Sequence, residues 1–523
     1  MFRSRGYGNT SRPRWTRTRF DLHPLRCRLS LTLDELRLRA ERLLARATEE
    51  RYRAEAGLKT RPELAAVYES EPLLDISSAM PVVERRLAEA TGDEERRLRY
   101  LLEWLGSRHI AQARAALDDE LYAWESTTTL DVEGSELPLT GIPGLLQNTD
   151  RAMALQLEER RNQELDEVTP LLLDRNYRVR QAAEGLGYGR YVEASSRVAG
   201  FSLRALARQA RHVLDETEDA FHELLAYHLG RWLDLLPAEA LRSDMSRLRR
   251  MEWLDDEFKT EEVLAAAERD LSAQSIPLEA EGRVTLDLEA RPLKRARAFF
   301  AAVRVPSQVM VCLSPAGGRA DCQGLLRALG GGLHAAYTSP ELPFEYRCLG
   351  DASLPRAFGR VFARLASLRP WVRMRTGLVG EGLDEYLRLA AFLDLQALRR
   401  DAATLIYELE LAESDHPTEL RLRYAESMGA ATGVRYDART FLEHAEGDFA
   451  AGRRLRGWML GAILSAELRD RYDEDWFRNP RAGLFLRELF EQGASENAGE
   501  LAERFGSRLD PEPLLASLGG QLD

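Results

Sequence analysis

From Leu33 to about Gln274 the chain repeats one arrangement, with apolar residues every three or four positions and Glu or Arg between them. The first block, LDELRLRAERLLARATEERYRAEAGL, follows Ser30 and Thr32, and Asp34 and Glu35 suit the start of a helix dipole. The spacing predicts amphipathic helices over 33–57, 81–126, 148–185, 188–232 and 260–274, with breakers at Gly92, Gly134, Gly141–Gly144 and Pro237. After Gly282 the period changes. RVTLDLEA alternates apolar and polar side chains as a half-buried strand does, and SQVMVCLS from Ser307 is a second strand candidate. The helical period then returns in GLLRALGGGLHAAY, with ELPFEYRCLG after it as extended or looped chain. Further helices are expected in SLPRAFGRVFARLASL and near 381–413, 417–430, 449–472, 481–493 and 510–518. The expected fold class is all-α with a small β-sheet inserted near 283–313.

One segment resists this scheme. In GLLRALGGGLHAAY, Leu325, Leu326, Leu329 and Leu333 keep helical spacing, yet Gly330, Gly331 and Gly332 interrupt them. Each interior glycine costs a helix roughly 1 kcal/mol relative to alanine, so three together call for close backbone approach.

Composition narrows the classes. Hydrophobic residues make up 44% and charged residues 30%, enough for a sizeable helical core. A net charge of −12 argues against a broad nucleic-acid or anionic-membrane footprint, so neither partner is expected. The longest apolar run, about Trp458–Leu464, is far too short to span a bilayer, and no secretory leader is read at the start. Cys27, Cys312, Cys322 and Cys348 form no CxxC and no disulfide framework, which fits a reducing cytoplasm. Residues 1–28 carry eight arginines against the single acid Asp21. Residues 1–30 are read as a disordered tail or the product of a start codon set too far upstream.

A small sheet just before a buried helix is the arrangement of zinc peptidases of the gluzincin type. Their chemistry needs two histidines four apart on one helix face and a glutamate beside the first. None of the eight histidines (23, 109, 212, 222, 228, 334, 416, 444) has a partner at that spacing. In FHELLAYH, His222 and His228 flank Glu223 but lie about 240° apart around a helix. No G-x-S-x-G, Walker loop or G-x-G-x-x-G after a strand is present either.

Four blocks from about Val284 onward nevertheless resemble the oligoendopeptidase F and thimet oligopeptidase family of zinc metallopeptidases. These are LDLEARPLKRARAFFAAVRVPSQVMV, SPAGGRADCQGLLRALGGGLHAAY, LPFEYRCLGDASLPRAFGRVFARL and GDFAAGRRLRGWMLGAILSAELRDRYDEDWFRNPRAGLFLRELFEQG. The resemblance implies two helical lobes around a deep cleft. The boundaries would be 31–200 for an amino-terminal lobe and 201–523 for a degenerate catalytic lobe. It also marks what has changed. The family's first ligand His falls on Arg327, its general-base Glu on Ala328 and its second His on Gly331. Its third ligand, a Glu, falls on Arg356, and two substrate-contacting tyrosines fall on Ala450 and Arg454. Phe449, Arg453, Leu455, Arg456 and Trp458 fit the pattern, and His334 is kept.

These replacements remove the chemistry. A guanidinium has no lone pair for Zn²⁺, and alanine cannot take a proton from water. No zinc is therefore expected, and the chain reads as a pseudopeptidase. Arg327, Arg356 and Arg454, with His334 nearby, would converge on the emptied site and could hold an acidic peptide or a small carboxylate or phosphate compound. The plainer alternative is that each arginine pairs with a local carboxylate. Two further functions stay open: partnership with an active homologue, and peptidase activity through an unconventional site.

Overall fold

The computed structural model describes residues 31–443, 445 and 447–522. The arginine-rich segment 1–30, Cys27 and His444 therefore lie outside the described residues. Twelve segments frame the site. They are α1 (Leu33–Glu55), α2 (Gly92–Thr127), β1 (Thr129–Val132), β2 (Ser135–Pro138), α3 (Arg242–Arg250), β3 (Val284–Asp287), β4 (Phe299–Arg304), β5 (Gln308–Cys312), α4 (Gly318–Tyr337), α5 (Ser353–Ala363), α6 (Gly380–Glu413) and α7 (Ala450–Tyr472). The remainder is almost entirely further helix, so the protein is mainly α with two small sheets. No helix among the described residues is long and apolar enough to cross a membrane.

Helix α1 starts as its sequence requires, with the Thr32 hydroxyl accepting from Glu35 N and Asp34 and Glu35 in the first turn. The long patterns at 148–185 and 188–232 are each broken. The first splits at Val168, where Pro170 opens a new helix at Thr169. A proline has no N–H to give the preceding turn, so it begins a helix rather than continuing one. The second splits at Gly200 (φ +77°) and again at Thr217. The apolar period survives these breaks because the successive helices bury faces against the same core.

Two sheets are present. The hairpin β1–β2 was not among the expected strands, because Gly134 reads as a breaker in the helical scheme. Glu133 (φ 52°) and Gly134 (φ 84°) are the two positive-φ residues that a tight hairpin turn needs. In the second sheet the order is β3–β5–β4, with β3 parallel and β4 antiparallel to β5. Strand β4, FFAAVR, is an addition to the two strands expected there. Its apolar residues do not alternate with polar ones, so period gives no strand signal. One local expectation is also corrected. Phe344–Cys348 is a short helix rather than extended chain. Ser353 is the first residue of α5, and the Asp351 carboxylate accepts its N–H at 2.9 Å.

Helix α4 is the centre of the larger core. Leu325, Leu326, Leu329 and Leu333 are all essentially fully buried, as their spacing predicts. It packs against β4 and β5 on one side and α5 on the other, and α5 packs in turn on α7. A second cluster joins α1 and α2 through Leu36, Leu43, Leu98, Leu101 and Leu105. Between these bodies lies a cleft of about 1050 Å³. Helices α1 and α2 line one side of it; β4, the end of α4, the start of α5 and residues 447–449 and 453 line the other.

Candidate functional site

The three glycines of α4 each face a different neighbour. A Cβ on Gly330 would meet the backbone of α5, with Phe358 C at 2.8 Å, Gly359 Cα at 2.9 Å and the Phe358 carbonyl oxygen closer still. Reciprocally, a Cβ on Gly359 would fall 2.8 Å from the Arg327 carbonyl oxygen. Helices α4 and α5 therefore cross backbone to backbone, and only glycine fits the crossing. Gly332 faces β5, where Val311 Cγ2 would be 3.0 Å away. Gly331 faces the ring of Phe300 from β4, whose Cδ1 and Cζ would lie 3.0 Å from an added Cβ and Cε1 nearer. The space that a side chain at position 331 would use is filled by an aromatic ring.

The crossing of α5 with α7 follows the same rule. Gly457 and Gly461, four apart, leave room for the Cβ atoms of Arg356 and Arg360, which would otherwise be 2.9 and 2.8 Å away. This close approach fixes where the arginines of α5 emerge. Arg356 lines the cleft, and its Nη1 donates to the Ala352 carbonyl at 2.6 Å. No acid among the described residues lies within ion-pair distance of it. Burial, Arg453 and Arg454 pull its guanidinium down to about 10, with Asp448 and Asp351 opposing; it remains charged at neutral pH.

Arg327 rises from α4 with much of its surface exposed, and it is not among the residues that line the cleft. It makes no ion pair or hydrogen bond with any described side chain. Burial and Arg400 pull its guanidinium down, while Asp394 and Asp401 oppose. Arg454 behaves differently. Its Nε donates to Asp401 Oδ1 at 2.8 Å, and the Asp401 charge raises its guanidinium above the usual value. Asp401, 3% exposed at its side chain, also accepts from Trp458 Nε1 at 3.1 Å and lies 3.8 Å from Arg360 Nη2. Although burial opposes it, the charges of Arg454, Arg400 and Arg360 hold this carboxyl low. The Arg360 guanidinium sits 3.3 Å above the Trp458 ring centroid, a cation–π contact.

Of the three expected arginines, Arg356 and Arg454 therefore act on each other, whereas Arg327 feels Arg400, Asp394 and Asp401, the last of which also holds Arg454. Arg454 has the local carboxylate partner; Arg327 and Arg356 do not. Ala328 is buried in the core, and Ala450 is the first residue of α7, its N–H donating to Asp448 Oδ1. His334 is 7% exposed, stacked on Phe358 and edge-on to Phe490. Burial pushes it down to about 4, so its ring is neutral at pH 7 and donates from Nε2 to the Gly493 carbonyl at 3.4 Å. It is a satisfied wall residue of the cleft rather than a free cation.

The residues do not fit a zinc ion. Arg327 and Arg356 offer no lone pair and Gly331 no side chain, and Phe300 covers that position. Among the described residues, no three His, Cys, Asp or Glu side chains gather where they could share a metal. Sequence reasoning missed Phe300, Arg360, Asp401 and Arg400. Arg360 had a signal, lying four residues after Arg356 and so on the same helix face. The partnership of Asp401 with α7 is purely tertiary.

No family model matches the chain, and no curated protein matches it by sequence. Solved structures do. The chain is similar to PZ peptidase A in complex with inhibitor 2 (TM-score 0.63, 14% identity, 94% of this chain and 86% of that one). It is also similar to a structure described as oligoendopeptidase F from Bacillus anthracis strain Ames (0.59, 14%, 93% and 84%) and to the carboxypeptidase of Pyrococcus furiosus (0.59, 14%, 94% and 98%). The chain thus has the helical fold of oligoendopeptidase F and related peptidases.

Proposed function

We propose that this chain is a non-hydrolytic relative of those peptidases, using its cleft to hold an acidic peptide or another anionic ligand. The observation that carries this reading is the filling of position 331 by Phe300, beside Arg327 and Ala328. In the resembled family those positions supply two zinc ligands and the general base. Neither the metal nor the activated water has a holder here, and no bound zinc belongs to this account.

The cleft charges support an anionic ligand. Among its cations, Arg347, Arg297 and Arg453 are matched by Glu41, Glu55 and Asp448. Arg356 is matched only by a carbonyl, leaving guanidinium donors for an incoming carboxylate or phosphate. The test is paired. Quenched fluorescent peptides incubated with the zinc-supplemented protein should stay intact. A labelled Asp/Glu-rich peptide should bind, and more weakly to R356A. Cleavage of the peptides, or unchanged binding to R356A, contradicts the reading.

A further inference from the structure

The cleft has a second polar wall, opposite in sign to the arginines of α5 and α7. Tyr100, Glu103 and Ser107 share one face of α2 and line it, with Ser195, Val198 and Ala199 of the helix Tyr191–Ala199. Glu103 stands out. Its carboxylate makes no hydrogen bond or ion pair with any described residue. Arg197 and Arg99 act on it from beyond ion-pair distance. Arg99 is paired with Glu95, and Arg197 lies over the Tyr188 ring, 5.8 Å from its centroid.

The surroundings work against that charge. A Cβ on Gly200 would lie 3.3 and 3.4 Å from the two Glu103 carboxylate oxygens. The carboxylate therefore sits over the residue that ends the helix Tyr191–Ala199 in the left-handed region (φ +77°). The last carbonyls of a helix carry the negative end of its dipole and lack partners within it. Asp351 adds a second negative charge, and it is already held by Arg456 at 2.7 Å. Burial, with Asp351, raises the Glu103 carboxyl to about 7 against the charges of Arg197 and Arg99.

Two hydroxyls on the same wall are also unmet. Tyr100 is 9% and Ser195 6% exposed, and neither hydroxyl has a hydrogen-bond partner. Buried polar atoms are normally satisfied, so open acceptors along a cleft wall point to a ligand that donates. A metal is a poor match, because no three His, Cys, Asp or Glu side chains gather among the described residues. One carboxylate with hydroxyl and carbonyl acceptors suits a primary ammonium group, which has three donors and a single charge.

We infer that Glu103, with Tyr100, Ser195 and the end of the helix Tyr191–Ala199, binds a primary ammonium group of the ligand whose acidic part meets Arg356 in the same cleft. That ligand is a peptide carrying an amino terminus or a lysine as well as carboxylates. The inference rests on the binding role proposed above and adds the cationic part of the ligand to it.

Fluorescence anisotropy of the full chain with an Asp/Glu-rich peptide, labelled at its carboxyl end and acetylated at its amino end, sets the reference. Freeing the amino terminus, or placing one lysine in the acetylated form, should tighten binding at least about tenfold, as a charge-assisted hydrogen bond does. The change that does so identifies the source of the ammonium. E103Q should lose the gain. Without peptide, E103Q should melt at or above the wild-type temperature, since this carboxylate holds nothing in the fold. No gain from either ammonium, a gain kept in E103Q, or a lowered melting temperature of E103Q would overturn the inference. The binding role fails differently, by unchanged affinity in R356A, and the ammonium gain would still be read there.

Discussion

The ring of Phe300 on β4 occupies the volume that a side chain at Gly331 on α4 would need. Two glycines in succession thus face obstacles of different stiffness. At Gly330 the obstacle is the α5 backbone, which cannot turn aside; at Gly331 it is the end of a side chain that borders the cleft. G330A should therefore destabilise by about 1–3 kcal/mol or more, as overpacking does. G331A should cost less, and in an F300A background, measured against F300A alone, it should show the gain of roughly 1 kcal/mol that alanine brings to a helix. Denaturant melts of G330A, G331A, F300A and the F300A/G331A double variant check the ranking.

Asp401 holds Arg454 and Trp458 of α7 against α6, with Arg360 of α5 close by. D401N keeps the shape but leaves guanidiniums facing a neutral amide. The expected loss is about 3 kcal/mol, the lower end for a broken buried pair, because Arg454 keeps part of its surface open. Urea unfolding of D401N beside the wild type measures it. A variant as stable as the wild type would mean that Asp401 is not what joins these helices.

His334 gives a pH dependence of definite sign. Burial lowers its folded-state value to about 4, from 6.5 for an exposed histidine. The unfolded chain therefore takes up the proton first, and stability contributed by the neutral ring is full above about pH 6.5 and lost as pH falls toward 4. Relative to H334Q, the wild type should lose on the order of 2–3 kcal/mol between about pH 7 and about pH 4.5. His228, similarly lowered by burial, adds the same slope to both proteins and cancels in the difference. Parallel pH profiles for the two would exclude a buried neutral His334.

Much of this was legible in the residues. The leucine face of α4 and the need for close approach at Gly330 both follow from spacing and from the cost of glycine in a helix. Local chemistry could also have found the β1–β2 hairpin, since Thr129–Pro138 alternates around Glu133–Gly134. The helical rhythm on either side concealed it. Other features had no local signal. Phe300 stands some thirty residues before the glycine it covers, in a strand without alternation. Which arginine finds a carboxylate depends on α6 meeting α7, so the sequence could pose the choice for Arg454 and Arg327 but not decide it.

The loss of the metal site is the point on which the functional account turns. Zinc content of the purified chain, after incubation with excess zinc and exhaustive dialysis, tests it most directly by plasma mass spectrometry. The account predicts zinc far below one ion per chain. A stoichiometric, dialysis-resistant zinc would contradict it and return the chain to the working peptidases.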